Sequence, residues 1–461
     1  MQEKPPLPIW MPQLAMQGGP RFLQIADALQ AAVTKGTLKP GDRLPPQRLL
    51  AAQLQVDLTT ITRAYDEARR RHLLEGRGAR GTYVAAPKVE LTSVLDLSMN
   101  TPPPPEGVDF DDLLKQGLSQ VLMRSDNSLL MTYHLSGGSH SDRMAGARWL
   151  APMLGSVDAQ QVVVCPGAQA ALAALLLAFT DYGDVVLTEP CSYPGLRTAA
   201  LQLGRRIVSV PVDQHGMLPE RFEQACDQHR PRLVYLNPTL QNPTTITMPA
   251  ERRQALVHIA QRRQVRIIED DPYWLLAENP PSPLATLSPQ QVFYISTLSK
   301  CLTPGLRVAF VRIHDPSECE RFLVALRSFA LMVAPLNAAL ATQWIFDGSA
   351  HELMTGVRKE ARLRHWMARD ILAGRYSGAG DGLHIWLKLP EYWSASEMAA
   401  AAQAQGIAVT PAQAFSMDNH SLNSIRVSLG NIKQRSHLQT GLQRISCLLA
   451  QRPGLQSTAI V

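Results

Sequence analysis

Paired cysteines, a membrane-length apolar run, a leader-like start and any internal repeat are all missing from this chain of 461 residues. The six cysteines (Cys165, Cys191, Cys226, Cys301, Cys319, Cys447) are scattered, with no Cys-x-x-Cys and no histidine cluster beside them. That argues against a disulfide framework or a metal site and fits a reducing cytosol. The most apolar helix-like run, Ala168–Phe179, is about twelve residues, against the roughly twenty that cross a bilayer. The Pro-rich start MQEKPPLPIWMPQL has no charged stretch leading into an apolar one, so no signal peptide is expected. The expectation is a soluble cytoplasmic protein with no membrane partner.

What is present begins with ordinary bulk: 45% hydrophobic residues and room for two or three domains. The net charge of +6 is unevenly placed. Residues 1–85 hold three Lys and nine Arg against seven acidic residues, a net +5, so the remainder carries only +1. One small N-terminal module therefore points to a polyanion partner.

Within that module, Phe22, Ile25, Ala26, Leu29, Ala32 and Val33 have the spacing of an amphipathic helix that stops at Gly36. Pro45-Pro46 opens a second short helix, 47–54. Asp57 is a candidate N-cap for a third helix running to Leu74. The stretch Gly76-Arg77-Gly78-Ala79-Arg80-Gly81-Thr82-Tyr83-Val84 reads as a glycine-hinged hairpin with two arginines. Three helices and a basic hairpin make a winged helix-turn-helix, with the third helix in the major groove and the wing over phosphates or the minor groove. GDRLPPQRLLAAQL, TTITRAYDEARRRHLLE and GRGARGTYV resemble the DNA-binding domain of the GntR family of bacterial repressors. Arg48, Thr60 and Arg63, with Arg77 and Arg80 of the wing, are the candidate DNA contacts. The chain departs from the family in having Pro46 for a usual Ser and Asp57-Leu58 for a usual Ser-Arg. Arg69-Arg70-Arg71 reads equally as a solvated helix face or as phosphate contacts.

Residues 86–108, with Pro102–Pro105, read as a semi-stiff join. Asp96–Asn100 inside it has the look of a first strand of the next domain. From 109 to 461, apolar runs alternate with helical stretches. Strands are expected at 161–165, 184–188, 205–210, 232–237, 265–269 and 292–296, which is α/β with a mostly parallel sheet buried on both faces. A smaller α+β lobe follows, with strand candidates at 382–389, 407–410 and 424–429.

Polar groups fall at the C-terminal ends of those strands, where an open α/β sheet places its ligand. The apolar run Val292–Ile295 ends in Ser296, Thr297 and Ser299, then Lys300, with Arg307 seven residues on. A strand-end lysine among hydroxyls and an arginine suits a Schiff-base lysine beside a bound phosphate. Gly167-Ala168-Gln169 opens a helix, whose free N–H groups form an anion site. Tyr193 can stack on a flat ring, Asn242 offers an amide, and Asp270, with Tyr273 three residues later, needs a cationic partner. Singly, each is an ordinary turn, cap or rim residue. As an ordered set they resemble the fold-type-I, pyridoxal phosphate-dependent aminotransferases, aspartate aminotransferase-like branch.

That resemblance implies a role for each residue. Lys300 would carry the aldehyde of pyridoxal 5′-phosphate, and Asp270 would pair with its ring nitrogen. Tyr273 and Asn242 would bond the phenolic oxygen, and Tyr193 would stack on the ring. Ala168, Gln169, Thr297, Ser299 and Arg307 would hold the phosphate. Arg426 would grip an effector carboxylate, and Tyr133 would reach the phosphate of a neighbouring subunit. Three departures stand out: Thr245 where the family has Gly after Asn-Pro-Thr, Ala168 where Ser is frequent, and Asp142 where Leu is common. A GntR-type module (1–85), a join (86–108) and an aminotransferase-like domain (109–461) resemble the MocR subfamily of transcription regulators. The resemblance implies a cytoplasmic homodimer that binds double-stranded DNA and responds to an amino-acid-like effector or to the cofactor. A working aminotransferase with a secondary DNA-binding module is the alternative, and a decarboxylase or racemase a weaker third.

Overall fold

The computed structural model describes residues 10–12, 14, 19–71, 73–76, 81–85, 94–124, 127–377, 380–418 and 422–452. They form two compact units, Met1–Ser93 and Val94–Val461.

In the first unit, helices α1 (Arg21–Thr34), α2 (Gln47–Leu54) and α3 (Leu58–Arg70) precede an antiparallel pair, β1 (Leu74–Gly76) and β2 (Thr82–Val84). This is the winged helix-turn-helix order. Asp57 sits at the N-cap position of α3 but accepts no capping hydrogen bond. Packing fixes the helix instead: Ile61, Ala64, Tyr65 and Ala68 are buried with Ile25, Leu29 and Leu50. The Tyr65 hydroxyl donates to the Pro45 carbonyl at 2.9 Å, and Thr62 donates to Gln47 Oε1 at 2.9 Å, tying α3 to α2 and its entry. α3 ends at Arg70 rather than running to Leu74, because Leu74 turns into the core and pairs with Val84.

In the second unit, among the described residues, a seven-stranded sheet runs in the order Val162–Cys165, Ala309–Arg312, Val292–Thr297, Arg266–Asp270, Leu233–Leu236, Val185–Thr188, Arg206–Ser209. Neighbours are parallel except Ala309–Arg312, which is antiparallel to both strands beside it. Most of these strands are buried on both faces between two hydrophobic layers, which is why they read as unbroken apolar runs. A four-stranded antiparallel sheet, Tyr376–Ser377, His384–Lys388, Ser424–Ser428, Thr410–Pro411, forms the smaller lobe.

The expected join is corrected on its C-terminal side. Leu95–Asp96 pairs in parallel with Ile407–Ala408, Leu97 is fully buried in the lobe, and the Glu106 N–H donates to the Gly356 carbonyl at 3.1 Å. Residues 94–108 are thus part of the folded second unit, and 86–93 lie outside the described residues. No helix among the described residues is long and apolar enough to cross a membrane.

Candidate ligand pocket and nucleic-acid face

Parallel strands end on one edge of a sheet, so the residues that follow them meet there. Asp270 and Thr297 are the last residues of their strands. Gly167, Tyr193 and Asn242 follow Val162–Cys165, Val185–Thr188 and Leu233–Leu236. Asp270, Thr297, Tyr193 and Asn242, with Ala168, Gln169, Tyr273, Ser299, Lys300, Arg307 and Arg426, line one cavity of about 500 Å³.

Lys300 lies in the short helix Leu298–Cys301, and Thr297 caps that helix by accepting from the Ser299 N–H at 3.3 Å. The Lys300 Nζ donates to the Asn100 carbonyl at 2.5 Å. Burial pushes this amine down to about 8; Arg426 and Arg307 push the same way, and Asp270 opposes them. Asp270 receives the Tyr235 hydroxyl at 2.6 Å on Oδ2, while its buried Oδ1 has no partner. Burial raises this carboxyl to about 6, against the Tyr235 bond and the charge of Lys300. An amine of lowered basicity and a carboxylate with one open oxygen therefore share the cavity.

One corner of the cavity is cationic and rich in donors. Helix Ala168–Phe179 starts after Gly167, at φ +93°, and a Cβ there would lie 2.6 Å from Arg307 Nη2. Only glycine lets that guanidinium lie against the helix start. The Thr297 and Ser299 hydroxyls, 3.1 Å apart, are on the same wall.

Also in the cavity wall, Arg426 is buried, stacks 4.8 Å over the Phe415 ring, and donates to Asn242 Oδ1 at 2.9 Å and the Ser98 carbonyl at 2.5 Å. Its Nε has no partner. The Tyr273 hydroxyl accepts from Asn100 Nδ2 at 2.7 Å, leaving its own proton to donate. Sequence reasoning missed Tyr235, Asn237 and Asn100. Asn237 donates to the Asp270 carbonyl at 2.6 Å and accepts from the Asn242 N–H at 2.7 Å, so it sets both residues at once. Its place at the end of LVYLNP, beside Asn242, was the available signal.

Two departures acquire local reasons. Asp142 forms a capping box with Ser139 at the start of helix His140–Leu154 and accepts from Thr342 at 2.7 Å. Thr245 adopts φ 65°, the left-handed backbone that a Gly would take without strain. Tyr133 does not line the cavity and is 75% exposed.

In the head, Arg48 and Arg63 are exposed, and Thr60 is half-buried at the start of α3. Neither arginine has an ion pair among the described residues. Arg69, Arg70 and Arg71 pair instead with Asp66, Glu67 and Asp27, at 2.8, 2.9 and 2.6 Å respectively. Leu58, where the GntR pattern has Arg, is exposed at the start of α3. Arg77 and Arg80 lie outside the described residues.

A two-part class emerges, a winged helix-turn-helix head and an aminotransferase-type unit, and sequence comparison bears it out. Residues 92–445 match aminotransferase class I and II, and residues 22–84 match the bacterial regulatory proteins of the gntR family. The chain belongs to the aminotransferase class I and II family and carries a gntR-family head, the architecture expected of a MocR-type chain. It is 30% identical to an uncharacterized HTH-type transcriptional regulator, YdeF, of Bacillus subtilis, over 95% of this chain and 96% of that protein. It is 29% identical to the vitamin B6 salvage pathway transcriptional repressor PtsJ of Salmonella typhimurium, over 89% of this chain and 94% of that one. Among solved structures it resembles the α-aminoadipate aminotransferase LysN of Thermus thermophilus, in complex with N-(5′-phosphopyridoxyl)-L-leucine. The TM-score is 0.71 at 25% identity, over 77% of this chain and 92% of that one.

Proposed function

We propose that the chain is a DNA-binding transcription regulator whose aminotransferase-like unit holds pyridoxal 5′-phosphate and senses an amino compound or the cofactor itself. One observation carries this reading: a head whose exposed Arg48 and Arg63 have no ion pair among the described residues shares a chain with a cavity lined by Lys300, Asp270 and Arg307. When bound, pyridoxal phosphate supplies an aldehyde reactive toward primary amines and an electron-withdrawing ring.

The residues fit that group. The open Oδ1 of Asp270 would accept a ring N–H, and Tyr273 and Asn242 would bond the phenolic oxygen. Tyr193 would cover the ring, and the Ala168 and Gln169 amides, Thr297, Ser299 and Arg307 would hold the phosphate. Lys300 would meet the aldehyde as a largely neutral amine once the pH exceeds about 8. Arg426 takes a carboxylate in the planar fork that lysine lacks. In a homodimer, exposed Tyr133 reaches the phosphate of the second subunit, and the exposed apolar Met131 and Leu135 beside it support such a contact. α3 enters the major groove with Thr60 and Arg63, Arg48 meets phosphate, and the 1–85 module completes its grip with Arg77 and Arg80. The protein works in the cytoplasm.

The same pocket supports a second reading, a working aminotransferase, because Lys300 and Asp270 serve turnover as well as sensing. A footprint on DNA upstream of the protein's own gene, combined with spectra of the loaded protein against an amino-acid panel, separates the two. A specific footprint that shifts with an amino compound supports the regulator; fast multiple turnover without any footprint overturns it.

A further inference from the structure

The segment 96–101 opens the second unit and follows directly, in sequence, the part of the chain that carries the head. It lies along the cavity and is held by the cavity's two ligand-directed cations. Arg426 Nη2 donates to the Ser98 carbonyl at 2.5 Å, and Lys300 Nζ to the Asn100 carbonyl at 2.5 Å. Thr410 and Ser428 hydroxyls add weaker bonds to the Ser98 carbonyl at 3.2 and 3.4 Å. Outside the cavity, Asn431 holds Asp96 Oδ2 at 3.0 Å and accepts from Thr101 at 3.3 Å. Gly430 backs the segment so closely that a Cβ there would lie 1.8 Å from the Thr101 carbonyl oxygen.

A guanidinium offers a carboxylate two bidentate edges, Nε with Nη2 and Nη1 with Nη2, and both use Nη2. A charged carboxylate is also a stronger acceptor than a neutral carbonyl. Nη2 carries one hydrogen on each edge, so a ligand carboxylate on Arg426 takes the Ser98 hydrogen on one edge and, on the other, draws the guanidinium's charge away from the Ser98 bond. Consumption of the Lys300 amine would likewise remove the donor to Asn100.

We propose that residues 96–101 form a ligand-released strap: a carboxylate taken by Arg426 frees the Ser98 carbonyl, and the loosened segment passes pocket occupancy to the head that precedes it. This rests on the regulator reading above. A ligand alters DNA affinity only through differential binding to two arrangements, and strap held or strap free supplies the pair.

The test uses the full chain freed of cofactor, with N-(5′-phosphopyridoxyl)-L-leucine as one probe and pyridoxamine 5′-phosphate, which lacks the carboxylate, as the other. Neither carries an aldehyde. Amide hydrogen exchange at Leu95, Leu97, Ser98 and Met99, all now hydrogen-bonded, is read beside DNA retention. The conjugate is expected to speed exchange there at least tenfold and to change DNA affinity, and the pyridoxamine to do neither. Gly430→Ala, which displaces Thr101, should exchange fast without ligand and hold DNA affinity at the conjugate-bound value. Asn431→Ala, which only removes bonds to the strap, should shift both readouts in the same direction and serves if the first variant does not fold. Unchanged exchange while the conjugate alters DNA affinity overturns the strap, as do variants that respond like the parent. Failure of the parent chain to retain any DNA overturns the regulator reading instead, and exchange still reports on the strap.

Discussion

Arg63 in the head and Arg426 in the larger unit are both strong cations, yet their surroundings differ. Arg63 is exposed and has no ion pair among the described residues, whereas Arg426 is buried, stacked on Phe415 and bonded to Asn242 and Ser98. A hydrated arginine keeps its field available to an extended polyanion and loses little when the partner leaves. A buried one is already oriented, so it selects a single planar acceptor. Under the proposed function the two units divide recognition: the head meets a surface by charge, and the pocket meets a small molecule by geometry.

Lys300→Ala is the most damaging way to probe the contrast. It should abolish the visible absorbance of bound pyridoxal phosphate while ligand-free DNA retention stays at the parent value; an unchanged spectrum refutes the assignment. Next in size is a pH effect. Only the neutral amine attacks an aldehyde, and Lys300 sits at about 8 rather than 10.5. Cofactor capture by the cofactor-free protein should therefore accelerate about tenfold per pH unit up to that point and flatten above it. Arg426→Gln removes a positive neighbour, raises the amine's pKa and moves the break to higher pH in stopped-flow traces.

Arg63→Ala should weaken specific DNA binding about tenfold, within the range for one lost contact, with cofactor spectra untouched. Loss of both would mean that the division between units is wrong. Tyr65→Phe leaves the buried Pro45 carbonyl without its donor and should destabilise the head by about 1–2 kcal/mol, seen as a lower head unfolding midpoint with the pocket unit unchanged. The smallest effect is expected from Thr245→Gly. Relief of a β-branched residue at φ 65° is offset by the freer unfolded chain, for a net gain of about 0.5 kcal/mol in denaturant unfolding.

Much of the fold was legible because its signals are local. The six anticipated strands of the large sheet all form, most of them because burial on both faces leaves an unbroken apolar run such as Val162–Cys165. The three head helices form for the same reason at helical spacing. Boundaries were less legible: Leu74 leaves the third helix because the wing needs its side chain in the core. The Pro-rich stretch looked like a join because proline composition says nothing about whether Leu95–Asp96 will find Ile407–Ala408, more than three hundred residues away.

The pocket divides in the same manner. Lys300, Asp270 and Asn242 could be read from strand ends, because a parallel sheet presents those ends on one edge whatever lies between, and Arg307 from its spacing after Lys300. Asn237 follows a strand end too and was legible by the same rule, whereas Tyr235 and Asn100 were not, since each matters through a hydrogen bond to a residue distant in sequence. The sequence by itself determined the two units, the concentration of charge in the head and the strand-end placement of Lys300. Only the tertiary structure decided that Arg69, Arg70 and Arg71 are spent on internal ion pairs. It alone brought Ser98 and Asn100 against Arg426 and Lys300. The reason is physical: periodicity records which face of an element is buried, but a hydrogen bond depends on where two elements come to rest.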